Sequence, residues 1–249
     1  MGRSPLRLPI TRLLRRMPRR KILLVQRLYL LQKLRQRTLP GPNMLPAGVS
    51  LKTLSRPIWR IDRVRNTALR IAATCTGKVD LQVVELAALF HDVADSKYTS
   101  SSTLKTTLAP FLNHPLTFAA LTHAQISIIL YIIPSVSWTA EAALRQKNEW
   151  TAFHDACLEL HAVQDADRLD AIGAVGIMRC SGFSAVKGRR LLQDGNGEGS
   201  AEEHFEEKLF KIKDRMKTNF GKVEAERRHK TMKAWMEALQ AEKKLSAPL

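Results

Sequence analysis

The sequence predicts an all-α fold. Three observations carry that expectation: apolar residues recur at helical spacing from Ile61 onward, long apolar stretches end at helix breakers, and no segment alternates apolar with polar side chains as a half-buried strand does. The chain has 249 residues, 45% of them apolar, which is enough for a buried core in one large domain or two small ones.

Residues 1–57 read as a separate basic leader. Residues 1–61 hold 15 of the 40 Lys and Arg and no Asp or Glu, and prolines punctuate residues 1–50 at Pro5, Pro9, Pro18, Pro40, Pro42 and Pro46. Arg-rich, acid-poor leaders have the composition of organellar transit peptides. A disordered extension has the same composition, so both readings stand: a cytoplasmic protein, or a mitochondrial one if residues 1–40 act as a transit peptide. An anionic-membrane contact through Leu13 to Arg16 and Ile22 to Leu34 would need a helix that Pro18 interrupts. The formal charge of +17 therefore sits at the front, and residues 62–249 carry 25 basic against 23 acidic side chains. No specific nucleic-acid partner is expected of that nearly neutral remainder.

The elements follow in order. Ile61, Val64, Ala68, Ile71 and Ala72 mark one buried face of a first helix that ends by Gly77. Asp80 reads as the N-cap of a second helix, Leu81 to Phe90, apolar except for Gln82 and Glu85. Residues 99–107, rich in Ser and Thr, read as a loop or lid. Leu116 to Ile133 is a third apolar helix stopped at Pro134. Ser137 to Arg145 and Ala152 to Val163 are two more, the latter leading into a helix from Asp165 to Arg179 with Asp165 as its cap. A loop, Ser181 to Ser200, precedes two charged amphipathic helices, Glu202 to Thr218 and Gly221 to Lys243.

Cys75, Cys157 and Cys180 are odd in number and widely spaced, which suits free thiols in a reducing compartment. No transmembrane segment is expected, because the longest apolar runs fall far short of the ~20 residues a span requires.

The chemistry gathers at His91-Asp92 and at Asp167. An imidazole nitrogen with two carboxylate oxygens, carried by separate apolar helices, suits Mn²⁺, Mg²⁺, Fe²⁺ or Zn²⁺ better than Ca²⁺. Asp165, Asp167 and Asp170 crowd negative charge into about one and a half turns, which costs stability unless a cation or Arg168 offsets it. Arg168 paired with Asp165 or Asp170 on the surface is the plainer alternative. Gly173 and Gly176 offer close approach to a neighbouring helix.

Three blocks resemble the HD-domain superfamily of metal-dependent phosphohydrolases, in particular a branch of small bacterial and fungal proteins similar to nucleotide pyrophosphohydrolases. They are Ile61-Asp62-Arg63-Val64-Arg65, Glu85 through His91-Asp92 to Tyr98, and Asp165 to Gly176; the stretches from His204 to Met216 and from Glu226 to His229 are also similar. The resemblance implies an HD-type helical bundle over residues 58–243, with carboxyl-terminal helices packed on it and a tail at 244–249. It implies a divalent ion, Mn²⁺ before the others, held by His91, Asp92 and Asp167, whose water attacks a phosphoanhydride of a nucleotide substrate. By the same resemblance Asp95 and Lys97 are the catalytic candidates, Asp95 orienting the water and Lys97 facing a phosphate oxygen. Arg63, Lys97, His204, Lys208 and Lys213 are the substrate-binding candidates; a helix-end ion pair or a solvated helix face is the plainer role of several of these.

One position departs from the pattern. The family's first ligand, a histidine, falls on Arg60, and a guanidinium has no lone pair to donate and carries its charge at every accessible pH. Three consequences are open: a weakened metal site with more water, a guanidinium standing in the cation's place to give a catalytically inactive nucleotide-binding or partner-binding pocket, or a chain whose residues before about Ile61 are not the domain's natural start. His114, His123, His154 and His161 are the other histidines considered as replacement ligands, with His123 expected in the core.

Overall fold

In the computed structural model, residues 56–94, 101–113, 121–193 and 199–245 are described. Ten α-helices and three short 3-10 turns make up the architecture, and there are no strands among these residues. The helices are α1 (Arg56–Ala72), α2 (Leu81–Phe90), α3 (Ser101–Leu112), α4 (His123–Ile132), α5 (Trp138–Gln146), α6 (Ala152–Ala156), α7 (Leu158–Asp170), α8 (Gly173–Val186), α9 (Ala201–Glu207) and α10 (Asn219–Leu245).

The core is built around α2 and α7. Asp80 caps α2 by accepting hydrogen bonds from the Gln82 and Val83 amides, and seven of the ten residues of the helix are buried. The periodic face of α1 is buried in the same core, with Val64, Ala68 and Ile71 wholly inaccessible. Val64 and Ile71 each contribute about 1.5–3 kcal/mol on burial.

Five boundaries differ from the sequence reading, one of them the expected helix Glu202 to Thr218, which is α9 as far as Glu207 and then a 3-10 segment, Leu209–Arg215. The Ser/Thr-rich stretch is helical from Ser101, because Leu104, Leu108 and Phe111 supply a buried face at helical spacing. The third apolar helix starts later than expected within the described residues, at a capping box of Thr122 and Gln125. Cys157, with an extended backbone, separates α6 from α7 and caps the latter. The expected single helix from Asp165 to Arg179 is broken at Ala171-Ile172, and α8 continues through Ser181 to Val186. Gly173 makes that break possible, since it has φ +76°, and a Cβ there would lie 2.9 Å from the Arg228 side chain.

The carboxyl-terminal helices pack on the bundle, as expected, through polar contacts that sequence spacing conceals. Asp165 is no cap: it lies inside α7, wholly buried, and accepts from the Lys217 and Thr218 amides at 2.9 and 2.8 Å and from Thr218 Oγ1 at 2.7 Å. Nor is Arg168 a surface partner of Asp165 or Asp170. It is buried, paired with Glu141, and donates to the Arg215 carbonyl. Lys217 Nζ reaches Glu141 at 2.8 Å, and Arg215 stacks over Trp138 at 3.8 Å. Burial opposes ionisation of Glu141, but Lys217, Arg168 and Arg145 outweigh it and hold its pKa at about 2.

Candidate functional site

Two helices place charged residues opposite one another at matching intervals. Ile61, Val64 and Ala68 turn α1 toward the core, which brings Arg60 and Arg63, three residues apart, to its flank. On α7, Leu160, Val163 and Ala166 do the same, and Asp167 and Asp170 lie at the same interval. Arg60 Nη2 donates to Asp167 Oδ1 at 2.8 Å, and Arg63 holds Asp170 through Nε at 2.7 Å and Nη2 at 3.2 Å. Arg179 on α8 closes the end of the row, donating to the Asp170 carboxylate and carbonyl, both at 2.7 Å.

The end of α2 brings the remaining members. His91 caps that helix, and its Nδ1 bonds the Ala88 carbonyl at 2.7 Å, which sets Nδ1 as the donor. Nε2 is buried without a hydrogen-bond partner and points between two carboxylates, 3.2 Å from Asp92 Oδ1 and 3.5 Å from Asp167 Oδ1. Asp92 receives Arg60 Nη1 at 2.5 Å. Arg60 therefore bridges the two carboxylates that flank His91.

The electrostatics follow from this crowding. Burial disfavours a charged Arg60, yet Asp92, Asp167 and Asp170 outweigh burial and raise its pKa further. Burial likewise disfavours a charged His91; Asp92 and Asp167 overcome burial and the repulsion of Arg60, and the imidazole's pKa rises. Asp167 lies well below the usual carboxylate range, because His91, Arg60 and Arg179 outweigh its burial. Burial and repulsion from Arg60 lower Arg179, with Asp170 opposing. Three guanidinia thus face three carboxylates, and the cluster is neutral when His91 is neutral.

A free Nε2 and two carboxylates are the donor chemistry of a divalent-metal site, and the Nδ1 bond to a carbonyl is the usual way such an imidazole is oriented. The space between the carboxylates is taken, however. Among the described residues no three His, Cys, Asp or Glu groups close together as metal ligands. With Arg60 in place, these residues do not fit a bound divalent ion.

The structure thus gathers His91, Asp92, Asp167, Arg60 and Arg63 from the residues singled out by sequence. Asp95 and Lys97 lie outside the described residues, as does His114. Lys213 pairs with Glu226 at 3.0 Å, His204 stands 3.7 Å from Glu207, and Lys208 is half-buried. No replacement ligand comes from the other described histidines: His123 is exposed rather than in the core, His154 is enclosed by Ser135 and Thr151, and His161 Nε2 engages the His154 carbonyl. His161 also shares α7 with Asp167 instead of lying on another helix. Two members of the cluster escaped sequence reasoning. Asp170 was read as a partner of Arg168, although its interval from Asp167 matches that of Arg60 and Arg63; Arg179 carried no signal, since its role depends on the break before α8.

Known proteins agree with this architecture. A family model described as HD domain matches residues 61–172. The Bacillus subtilis protein YpgQ is 36% identical over 163 residues, which cover 66% of this chain and 73% of YpgQ. The crystal structure of YpgQ in complex with ADP superposes with a TM-score of 0.55 at 31% identity, covering 74% of this chain and 87% of that one. An HD-superfamily hydrolase from Bacillus thuringiensis gives a TM-score of 0.63 at 27% identity, with 91% and 98% of the two chains covered. The Lin1889 protein of Listeria innocua gives 0.57 at 31% identity over 76% and 88%. With its bundle, its His-Asp pair and its helix-borne aspartates, the chain belongs to the HD-domain family and has the fold of the HD-superfamily hydrolases.

Proposed function

We propose that this protein binds a nucleotide di- or triphosphate at the Arg60 cluster, as a member of the phosphohydrolase fold whose hydrolysis is impaired. One observation carries the reading: Arg60 ties Asp92 to Asp167 where the fold's chemistry calls for a divalent ion. A guanidinium supplies positive charge beside a phosphate but neither coordinates nor activates a water. The ADP complex of YpgQ supports a nucleotide as the ligand class. Arg60, Arg63 and Arg179 have side chains 30%, 41% and 33% exposed, so solvent reaches them while each also holds a carboxylate. A phosphate oxygen competes with those carboxylates for guanidinium hydrogen bonds, a geometry suited to bidentate recognition. His204, Lys208, Lys213 and Lys97 stand as proposed outer phosphate contacts; Asp95 would partner a reacting water only in the hydrolytic reading that follows.

The second reading is an active metal-dependent phosphohydrolase, and the unpartnered Nε2 of His91 favours it. There Arg60 withdraws, and His91, Asp92 and Asp167 are the residues left to hold Mn²⁺ or a similar ion. Phosphate and pyrophosphate release from a panel of nucleotides with Mn²⁺ separates the two. The first expects little release from the wild type and a gain in Arg60→His. Vigorous wild-type release abolished by Asp167→Ala selects the second, and failure to bind any nucleotide overturns both. We assign the protein to the cytoplasm, with the mitochondrion as the alternative; fractionation and amino-terminal sequencing of the mature chain decide between them.

A further inference from the structure

Helix α8 lends Arg179 to the cluster, but its outer face and the turn after it form a surface of another character. Met178 and Val186 are 77% and 79% exposed, and Phe183, Leu191 and Leu192 are about half exposed. Met178, Gly182 and Val186 recur every four residues and so share one helix face. A Cβ at Gly182 would meet nothing within 4 Å, so that face is open. Single exposed apolar residues need no explanation, but a run of this length along one face does.

The charge within the segment itself has one sign, with Arg179 held by Asp170. Residues 171–193 contain no Asp or Glu and four basic residues, Arg179, Lys187, Arg189 and Arg190. Lys187 and Arg189 lie against the Phe183 ring, at 5.8 and 5.9 Å from its centroid. The nearby acids of α9 are engaged: Glu202 by Lys243 at 2.8 Å, Glu203 by the Gly199 amide at 2.6 Å, and Glu207 beside His204.

From these observations we infer that this face docks on an anionic lipid surface, with Met178, Phe183, Val186, Leu191 and Leu192 entering the headgroup layer and Lys187 and Arg189 meeting the lipid charge. Exposed Met, Phe, Val and Leu side chains next to Lys187 and Arg189 combine apolar area with positive charge, the pairing that suits an anionic lipid interface. A second copy of the chain fits less well, because its own Lys187 and Arg189 would add like charge to the interface. An acidic peptide fits less well too, since the face is an open helix surface rather than a groove. No single helix among the described residues is long and apolar enough to cross a membrane.

Co-sedimentation of the full chain with vesicles tests this. Vesicles of phosphatidylcholine alone are compared with phosphatidylcholine containing phosphatidylserine. The wild type is expected to bind the phosphatidylserine vesicles, and Met178→Asp/Val186→Asp and Lys187→Glu/Arg189→Glu each to lower partitioning about tenfold or more. The substituted side chains are exposed, and unchanged circular dichroism and thermal melts confirm the fold. The basic leader is intact in every variant. Wild-type partitioning by both variants assigns any lipid contact to another surface and overturns the proposal. So does a wild type that binds no vesicle, whether it dimerises through this face or captures an acidic helical peptide instead.

Discussion

Arg60 donates a hydrogen bond of 2.5 Å to Asp92, a residue 32 positions later in the chain, and the same guanidinium continues to Asp167. The guanidinium holds its positive charge between the two carboxylates, so an incoming cation meets repulsion there and finds no lone pair on Arg60.

Metal affinity is the first quantity to change when Arg60 is removed. Two unit charges 4 Å apart interact by about 4 kcal/mol at an effective dielectric of 20, and a divalent ion feels twice that before screening. Arg60→His and Arg60→Ala should therefore bind Mn²⁺ at least about tenfold more tightly than the wild type. Mn²⁺ electron paramagnetic resonance titration measures this directly. Equal affinities would show that the guanidinium does not compete.

Nucleotide affinity should depend on Arg63 more than on Lys213. Arg63 belongs to the central row of charges, whereas Lys213 is committed to Glu226 at 3.0 Å. Calorimetric titration of ADP is expected to show a several-fold loss in Arg63→Ala and a smaller one in Lys213→Ala. The reverse order would move the phosphate site toward the carboxyl-terminal helices.

Acid should weaken the join between bundle and tail. The folded pKa of Glu141 is depressed to about 2, below its ordinary value, so its contribution is present above pH ~4.5 and is lost as pH falls through about 2. A shift of this size corresponds to up to about 3 kcal/mol. Urea unfolding of the wild type should lose stability steeply between those values, and Glu141→Gln should flatten the slope while lowering stability at neutral pH by about 3–5 kcal/mol. An unchanged slope would exclude this group as the source.

Gly173→Ala should be destabilising by about 1–3 kcal/mol, because φ +76° is strained for an L side chain and the new Cβ would press on Arg228. Arg228 also donates to the Leu169 carbonyl, so the packing of α10 against α7 should loosen with it. Denaturant midpoints measure the first effect, and amide exchange at Ala225 and Arg228 the second.

What the sequence could show depended on the range of the interaction. Helices α1, α2, α5 and α10 were legible because periodicity and a cap such as Asp80 are local. His91, Asp92 and Asp167 were legible as a group because polar residues that interrupt very apolar helices need partners. Helix α3 was hidden by its Ser and Thr content, which masked the spacing of Leu104, Leu108 and Phe111. The roles of Asp165 and Arg168 were beyond reach: their partners lie 52 and 27 residues away, and a short-range cap or ion pair satisfied the same residue types. At Arg60 the sequence raised the question, and only the geometry placed its guanidinium on both carboxylates.

Helix α7 serves two masters on opposite flanks. Asp167 and Asp170 face the guanidinium row, while Asp165 and Arg168 grip the segment that leads into α10. One rigid rod thus carries alternate residues to the centre and to the tail, so a ligand that shifts the first will strain the second. The entry into the long final helix is thus anchored on the same rod that carries the charged row, and substitutions on one flank should register on the other.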